Sequence, residues 1–241
     1  MTESTVPVPP DEGVLARAIG IITAPRRTFE GIVRNPRPAA ILFLCVLVIA
    51  LATSLPQFTE RGRQAALDMQ VQQTEKFTGQ PVSDEQYARM QVGMKYAAYI
   101  SPIGVFIITP IIVLVFAGIY FVIFNAILGG QATFKQVMGI VAHSMVISTL
   151  GAAIGAPIMY IKGTMSSMGP FNLAALVPML EEKSFLVQFL GFIDPFRVWG
   201  TIVTAIGFGV LYKRNSTNIA IALLLVYALI AGGVALFTSG R

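Results

Sequence analysis

Charge is what this chain of 241 residues has least of: charged side chains make up 12% of it and hydrophobic ones 55%. That is about half the ionic share of an ordinary soluble domain, too little to clothe a globule in water. Cysteine is almost missing as well. Cys45 stands alone, which excludes an intrachain disulfide and a thiolate metal cluster. His143 is the sole histidine, and no cysteine pair or deep carboxylate accompanies it from which a metal site or proton relay could be built. His-Glu-x-x-His, a Walker loop, Gly-x-Ser-x-Gly and a pair of aspartates at matching depths in two apolar segments are all absent. Each would have supplied a nucleophile, an activated water or a phosphate cradle. The reading is therefore of a protein that is no enzyme, with no catalytic, cofactor-binding or metal-ligating residues. The start of the chain has acids and prolines in place of a basic region leading into an apolar core, so no cleaved signal peptide is expected and the first span is retained.

What the sequence does hold is five stretches without formal charge, over 38–59, 96–134, 136–161, 198–212 and 215–240. A helix rising roughly 1.5 Å per residue needs about 20 apolar residues to cross roughly 30 Å of hydrocarbon. The expected fold is all-α, a polytopic membrane bundle of five transmembrane helices over about 39–55, 103–128, 137–160, 196–212 and 219–237. Residues 57–98 form the one sizeable water-exposed segment. Gly79, Gln80 and Pro81 break it, and Ser83 with Gln86 three residues later makes a capping box. Tyr87, Met90, Met94 and Ala97 fall on one helical face, which predicts a helical hairpin whose second arm runs on into the second span. Pro102 and Pro110 predict interfacial first turns or a kink there. Two apolar runs, 171–180 and 185–193, are too short to span and read as interfacial or re-entrant helices.

Ahead of the first span, 1–13 reads as a disordered leader. Residues 14–38 read as a basic amphipathic segment lying in the interface, or as a short solvated helix capping the bundle. Leu15, Ile19, Ile22, Phe29 and Val33 recur at helical spacing among Arg17, Arg26, Arg27 and Arg34. The net charge of +5 could suggest nucleic acid, but the basic residues sit beside membrane spans and no stretch interleaves many of them with aromatics as a binding groove would. Lipid headgroups are the expected partner, with Arg26, Arg27, Arg34 and Arg37 as candidate contacts. The same crowding of arginines at the mouth of the first span orients the chain with its N-terminus inside and its C-terminus outside.

Inside the spans, His143 and Asn125 are candidate intramembrane polar residues, with a neutral imidazole bonded to a neighbouring helix as the plainer reading of the first. Asp194 and Arg197 open the fourth span as a candidate cap and ion pair. Gly151 and Gly155, four apart, are candidate packing positions where helix backbones approach closely.

Three segments carry a resemblance to the bacterial branch of the Yip-domain family of five-span membrane proteins. They are Ala24-Pro25-Arg26-Arg27-Thr28-Phe29 through Asn35-Pro36, Gly129-Gly130-Gln131-Ala132-Thr133-Phe134-Lys135-Gln136, and Asp194-Pro195-Phe196-Arg197-Val198-Trp199 with Gly207. The resemblance implies a cytosolic N-terminus, a bacterial inner-membrane location and no known catalytic role. Eukaryotic relatives engage prenylated Rab GTPases and carry Asp-Leu-Tyr-Gly-Pro; here the only Gly-Pro, Gly169-Pro170, follows Ser167-Met168, so Rab binding is not carried over. The functional expectation is a non-enzymatic protein acting through lipid and membrane-protein contacts, accessory to export or envelope assembly, with homo-oligomerisation open. The competing expectation is a small-solute carrier or channel whose cavity is lined by 171–193, His143 and Asn125. An intramembrane hydrolase using His143 beside Ser144 or Ser148 is the third.

Overall fold

The computed structural model describes residues 13–166, 168–177, 179–181 and 183–239. Among them the chain is helical throughout, with no strand: α1 (Val14–Thr23), α2 (Pro25–Arg34), α3 (Pro38–Ser54), α4 (Glu60–Thr78), α5 (Asp84–Phe121), α6 (Phe134–Lys162), α7 (Phe185–Phe192), α8 (Pro195–Tyr212) and α9 (Ser216–Thr238). Two 3-10 turns, Leu55–Phe58 and Leu173–Leu176, and a π-helical turn, Val122–Ile127, join or extend them. The leader read over 1–13 lies, Gly13 apart, outside the described residues.

Local chemistry sets the boundaries. α2, α3 and α8 each begin at a proline, whose missing N–H costs nothing in a first turn. α4 and α6 stop at Gly79 and Gly163, both left-handed at φ 69° and 71°, a conformation glycine adopts without a steric penalty. At the start of α5 the Gln86 N–H donates to Ser83 Oγ at 3.3 Å and the Ser83 N–H donates to Gln86 Oε1 at 3.1 Å, closing both halves of a capping box.

Five helices are long and apolar enough to cross a membrane: Pro38–Phe58, Asp84–Ile127, Phe134–Lys162, Pro195–Tyr212 and Ser216–Thr238. The second is a continuous rod of 44 residues that passes through Pro102 and Pro110 without a break. At about 66 Å it is twice the thickness of the hydrocarbon layer, and α4 packs beside it. The Gln64 amide donates to the Tyr87 hydroxyl at 3.4 Å across that hairpin. Of the two short apolar runs, 185–193 becomes α7, but 171–180 holds only the single turn Leu173–Leu176. In the sequence Pro170 precedes that run and Pro178 falls within it, which disfavours a longer helix.

α6 is the central helix. Over its most apolar window 56% of residues are buried, against 11% in the second and fifth spans, and it packs against α1, α2, α3, α5 and α8. α5 and α9 stand outside, with Ile107, Val115, Leu225 and Leu229 each more than half exposed. Such surface is stable only against hydrocarbon, which is as apolar as the side chains themselves. α1 and α2 fold onto the bundle: Ile21, Phe29 and Ile32 are wholly buried, against α6 and α8. Gly207 makes this possible, since a Cβ there would sit 2.6 Å from Ile140 and 3.1 Å from the Phe29 ring. At the far end, the chain between α6 and α8 closes over the bundle. The Leu173 N–H donates to the Ile193 carbonyl at 2.9 Å, and the Tyr227 hydroxyl donates to the Phe192 carbonyl.

Candidate functional site

Where α2 hands over to α3, three segments far apart in sequence lock together. The π turn shifts the register at the end of α5, so that the Gly130 N–H donates to the Phe124 carbonyl at 2.9 Å. Asn125 is thereby turned toward the connection to α6. Its Nδ2 donates to the Ala132 carbonyl at 2.6 Å, while its Oδ1 accepts from the Ala132 N–H at 3.3 Å and from the Tyr212 hydroxyl at 2.8 Å. The Tyr212 ring stacks on Phe124 with centroids 4.9 Å apart, and Phe124 stacks on Phe208 at 4.7 Å. Gly130 passes so close that a Cβ would meet the Tyr212 ring at 2.4 Å and the Phe124 carbonyl at 2.7 Å.

The same end is stitched at three more points. Thr133 and Gln136 form a second capping box at the start of α6, and Gln136 Nε2 reaches across to donate to the Val33 carbonyl at 3.1 Å. Arg214 donates to the Leu128 carbonyl at 3.0 Å. Arg17 is buried, 6% exposed, and donates to the Asn35 carbonyl at 3.0 Å, joining α1 to the end of α2. Burying a guanidinium is costly unless its donors find acceptors. Between these parts lies a shallow cavity of about 370 Å³ lined by Val33, Gly130, Gln131, Gln136, Lys213 and Arg214.

Around this end Arg26, Arg27, Arg34, Arg37, Lys135, Lys213 and Arg214 are all exposed. Glu30 is the one acid there among the described residues, 4.0 Å from Arg26. The structure thus gathers the four candidate lipid-contact arginines with Asn125 and three further cations.

The remaining candidates lie elsewhere. His143 is 1% exposed in the core. Its Nδ1–H donates to the Gly139 carbonyl at 2.7 Å, one turn back on its own helix and not on a neighbour. Ser144, the next residue, points about 100° away around α6, so the two do not form a nucleophile and base. Asp194 and Arg197 mark the opposite end of α8. There Asp194 Oδ1 accepts from the Phe196 N–H at 2.8 Å and the Arg197 N–H at 3.3 Å; its described partners are backbone amides rather than the Arg197 side chain. Gly151 faces the Phe196 ring, with 2.8 Å left for a Cβ, and Gly155 faces Pro170 and Phe171 at 3.1 and 3.3 Å. Both glycines admit side-chain rings instead of a neighbouring helix backbone.

The roles of Tyr212 and the Thr133–Gln136 box, and the burial of Arg17, are not among the sequence expectations. The box was legible, as Thr-x-x-Gln ahead of an apolar run. Tyr212 was not, because its partner lies 87 residues away. Among the described residues no group of three or more His, Cys, Asp or Glu could hold a metal ion.

Five apolar spans, four of them arranged about the buried central one, with cations gathered at one end, define a multi-pass α-helical membrane protein. Within that class the chain belongs to the Yip1 domain family: the domain matches residues 19–238, from α1 to the last turn of α9. No curated protein and no solved structure matches it.

Proposed function

We propose that this protein is a non-enzymatic membrane protein that works through contacts with lipid and with other membrane proteins, as an accessory to export or envelope assembly in a bacterial inner membrane. The observation that carries the reading is the set of seven exposed cations against Glu30 on α2, the segment after it and the turns after α5 and α8. Each basic residue near an anionic surface contributes about 1 kcal/mol. By the positive-inside rule this end faces the cytoplasm, and five crossings then leave the C-terminus outside. The exposed apolar flanks of α5 and α9 offer neighbouring membrane proteins a lateral surface.

The carrier reading finds its parts separated. Asn125 is bound at the basic end, while 171–193 lies at the other end of α8, about 27 Å away, and His143 is enclosed in the core. No observation here favours it.

The test uses the full-length protein in nanodiscs of mixed phosphatidylglycerol and phosphatidylcholine. Native mass spectrometry should show enrichment of phosphatidylglycerol around the wild type. Replacing Arg26, Arg27, Arg34 and Arg37 together by glutamine should reduce that enrichment and leave the folded protein intact. Equal lipid composition around both proteins would remove the basis of the proposal.

A further inference from the structure

At the opposite end of the molecule Arg61 is shared by two cavities of different character. The first, about 290 Å³, is a mostly apolar slot between the last turn of α3, the first turns of α4 and the last three turns of α6, walled by Ala52, Ala65, Ala152, Ala156 and Met159. Its walls are small because the elements meet closely: a Cβ on Gly62 would coincide with the Pro56 carbonyl. The second, about 910 Å³, is a more polar cleft between α4 and α5, with Arg61, Arg63 and Lys95 in its wall against a single acid, Glu60, and with Leu67, Val92 and Met94 beside them.

Arg61 is held at the junction. Its Cζ lies 6.0 Å from the centre of the Tyr160 ring, and Nη2 donates to the Ile161 carbonyl at 2.5 Å. That carbonyl belongs to the last turn of α6, where the free C=O groups of a helix end call for donors. A guanidinium has five N–H donors, so most remain to be used. Arg61 is exposed and forms no ion pair with any described residue. Tyr160 and Arg61 stand where α3 and α6 leave the hydrocarbon, the level at which aromatic and cationic side chains meet headgroups.

We propose that this pair of cavities binds one anionic phospholipid from the bilayer, an acyl chain in the slot and the phosphate on Arg61, with the headgroup in the cleft beside Arg63 and Lys95. The charge and polarity of the two compartments match the two halves of such a molecule, in the same order across Arg61. A neutral apolar ligand would leave the cationic cleft unused. A soluble anion would leave the slot empty. The site is separate from the basic end described above and does not depend on it.

The test again uses the full-length protein, extracted in mild detergent and offered phosphatidylglycerol or phosphatidylcholine of identical chains, with bound lipid counted by native mass spectrometry. The wild type should retain one phosphatidylglycerol in preference to phosphatidylcholine. Arg61→Gln should lower that preference about five-fold, the value of one cationic contact. Ala156→Phe, which fills the slot from α6, should abolish retention of either lipid; Ala152→Leu serves the same purpose if that variant does not fold. The variant lacking Arg26, Arg27, Arg34 and Arg37 should keep this lipid, so the two proposals fail separately. Equal retention of the two lipids by the wild type would overturn the inference. So would retention unaffected by both substitutions, or loss of a bound second polypeptide in place of lipid.

Discussion

The hydroxyl of Tyr212, in the last turn of α8, donates to Oδ1 of Asn125 at 2.8 Å, and Asn125 in turn clamps the backbone N–H and carbonyl of Ala132. One side chain thus joins the fourth span to the turn between the second and third, in the part of the molecule where the cations collect. The clamp explains why an amide sits in the π turn. Two of its three bonds satisfy the N–H and carbonyl of Ala132, which the irregular backbone leaves without helical partners.

Removing the hydroxyl tests the joint. Tyr212→Phe should cost about 0.6 kcal/mol, the usual worth of one side-chain hydrogen bond in a membrane bundle. Asn125→Leu should cost more, about 1–2 kcal/mol, because it also strands the Ala132 N–H and carbonyl. The double variant should be less destabilised than the sum, as for any two residues that share a bond. Unfolding of the purified protein in detergent measures all three, and strict additivity would show that the bond is not made in solution.

His143 should behave as a packing residue. His143→Leu conserves most of the volume and should cost about 1 kcal/mol, while His143→Ala opens a cavity beside α1 and should cost about 2–4 kcal/mol. Its neighbour Ser144 has a buried Oγ without a hydrogen-bond partner among the described residues, so Ser144→Ala should be neutral or stabilising. The same unfolding assay ranks the three variants. Alanine and leucine of equal cost at position 143 would contradict a role set by volume.

The orientation proposed for the chain can be read with a thiol reagent that does not cross membranes. Cys45 is buried and is the only cysteine, so a Cys45→Ala background is silent. On it, Gln80→Cys in the α4–α5 hairpin should label in intact cells, and Gln131→Cys in the turn before α6 should label only after the membrane is opened. Both positions are exposed. The reverse pattern would invert the molecule and place the seven cations outside.

Span number and much of the hairpin were legible because each obeys a local rule. A run of apolar residues long enough to cross, a proline at a first helical position and Ser83 three residues before Gln86 all declare themselves within one or two turns of chain. The reading was weaker wherever the partner is distant. Gly151 and Gly155 look alike in sequence and suggested backbone contact, but the rings they admit come from Phe196, Pro170 and Phe171. Arg17 could not be distinguished from Arg26 or Arg27, although it alone of the three is buried and donates to the Asn35 carbonyl.

Composition and periodicity by themselves determined that this chain lives in hydrocarbon, how many times it crosses and where its cations flank the crossings, because the transfer of apolar helices out of water depends on each segment alone. The tertiary structure decided which ends meet: the closing of α1 and α2 onto α6 and α8, the clamp of Asn125 on Tyr212, and the placing of Arg61 between an apolar slot and a cationic cleft. These depend on the directions of side chains tens of residues apart, and only the packed bundle fixes those directions.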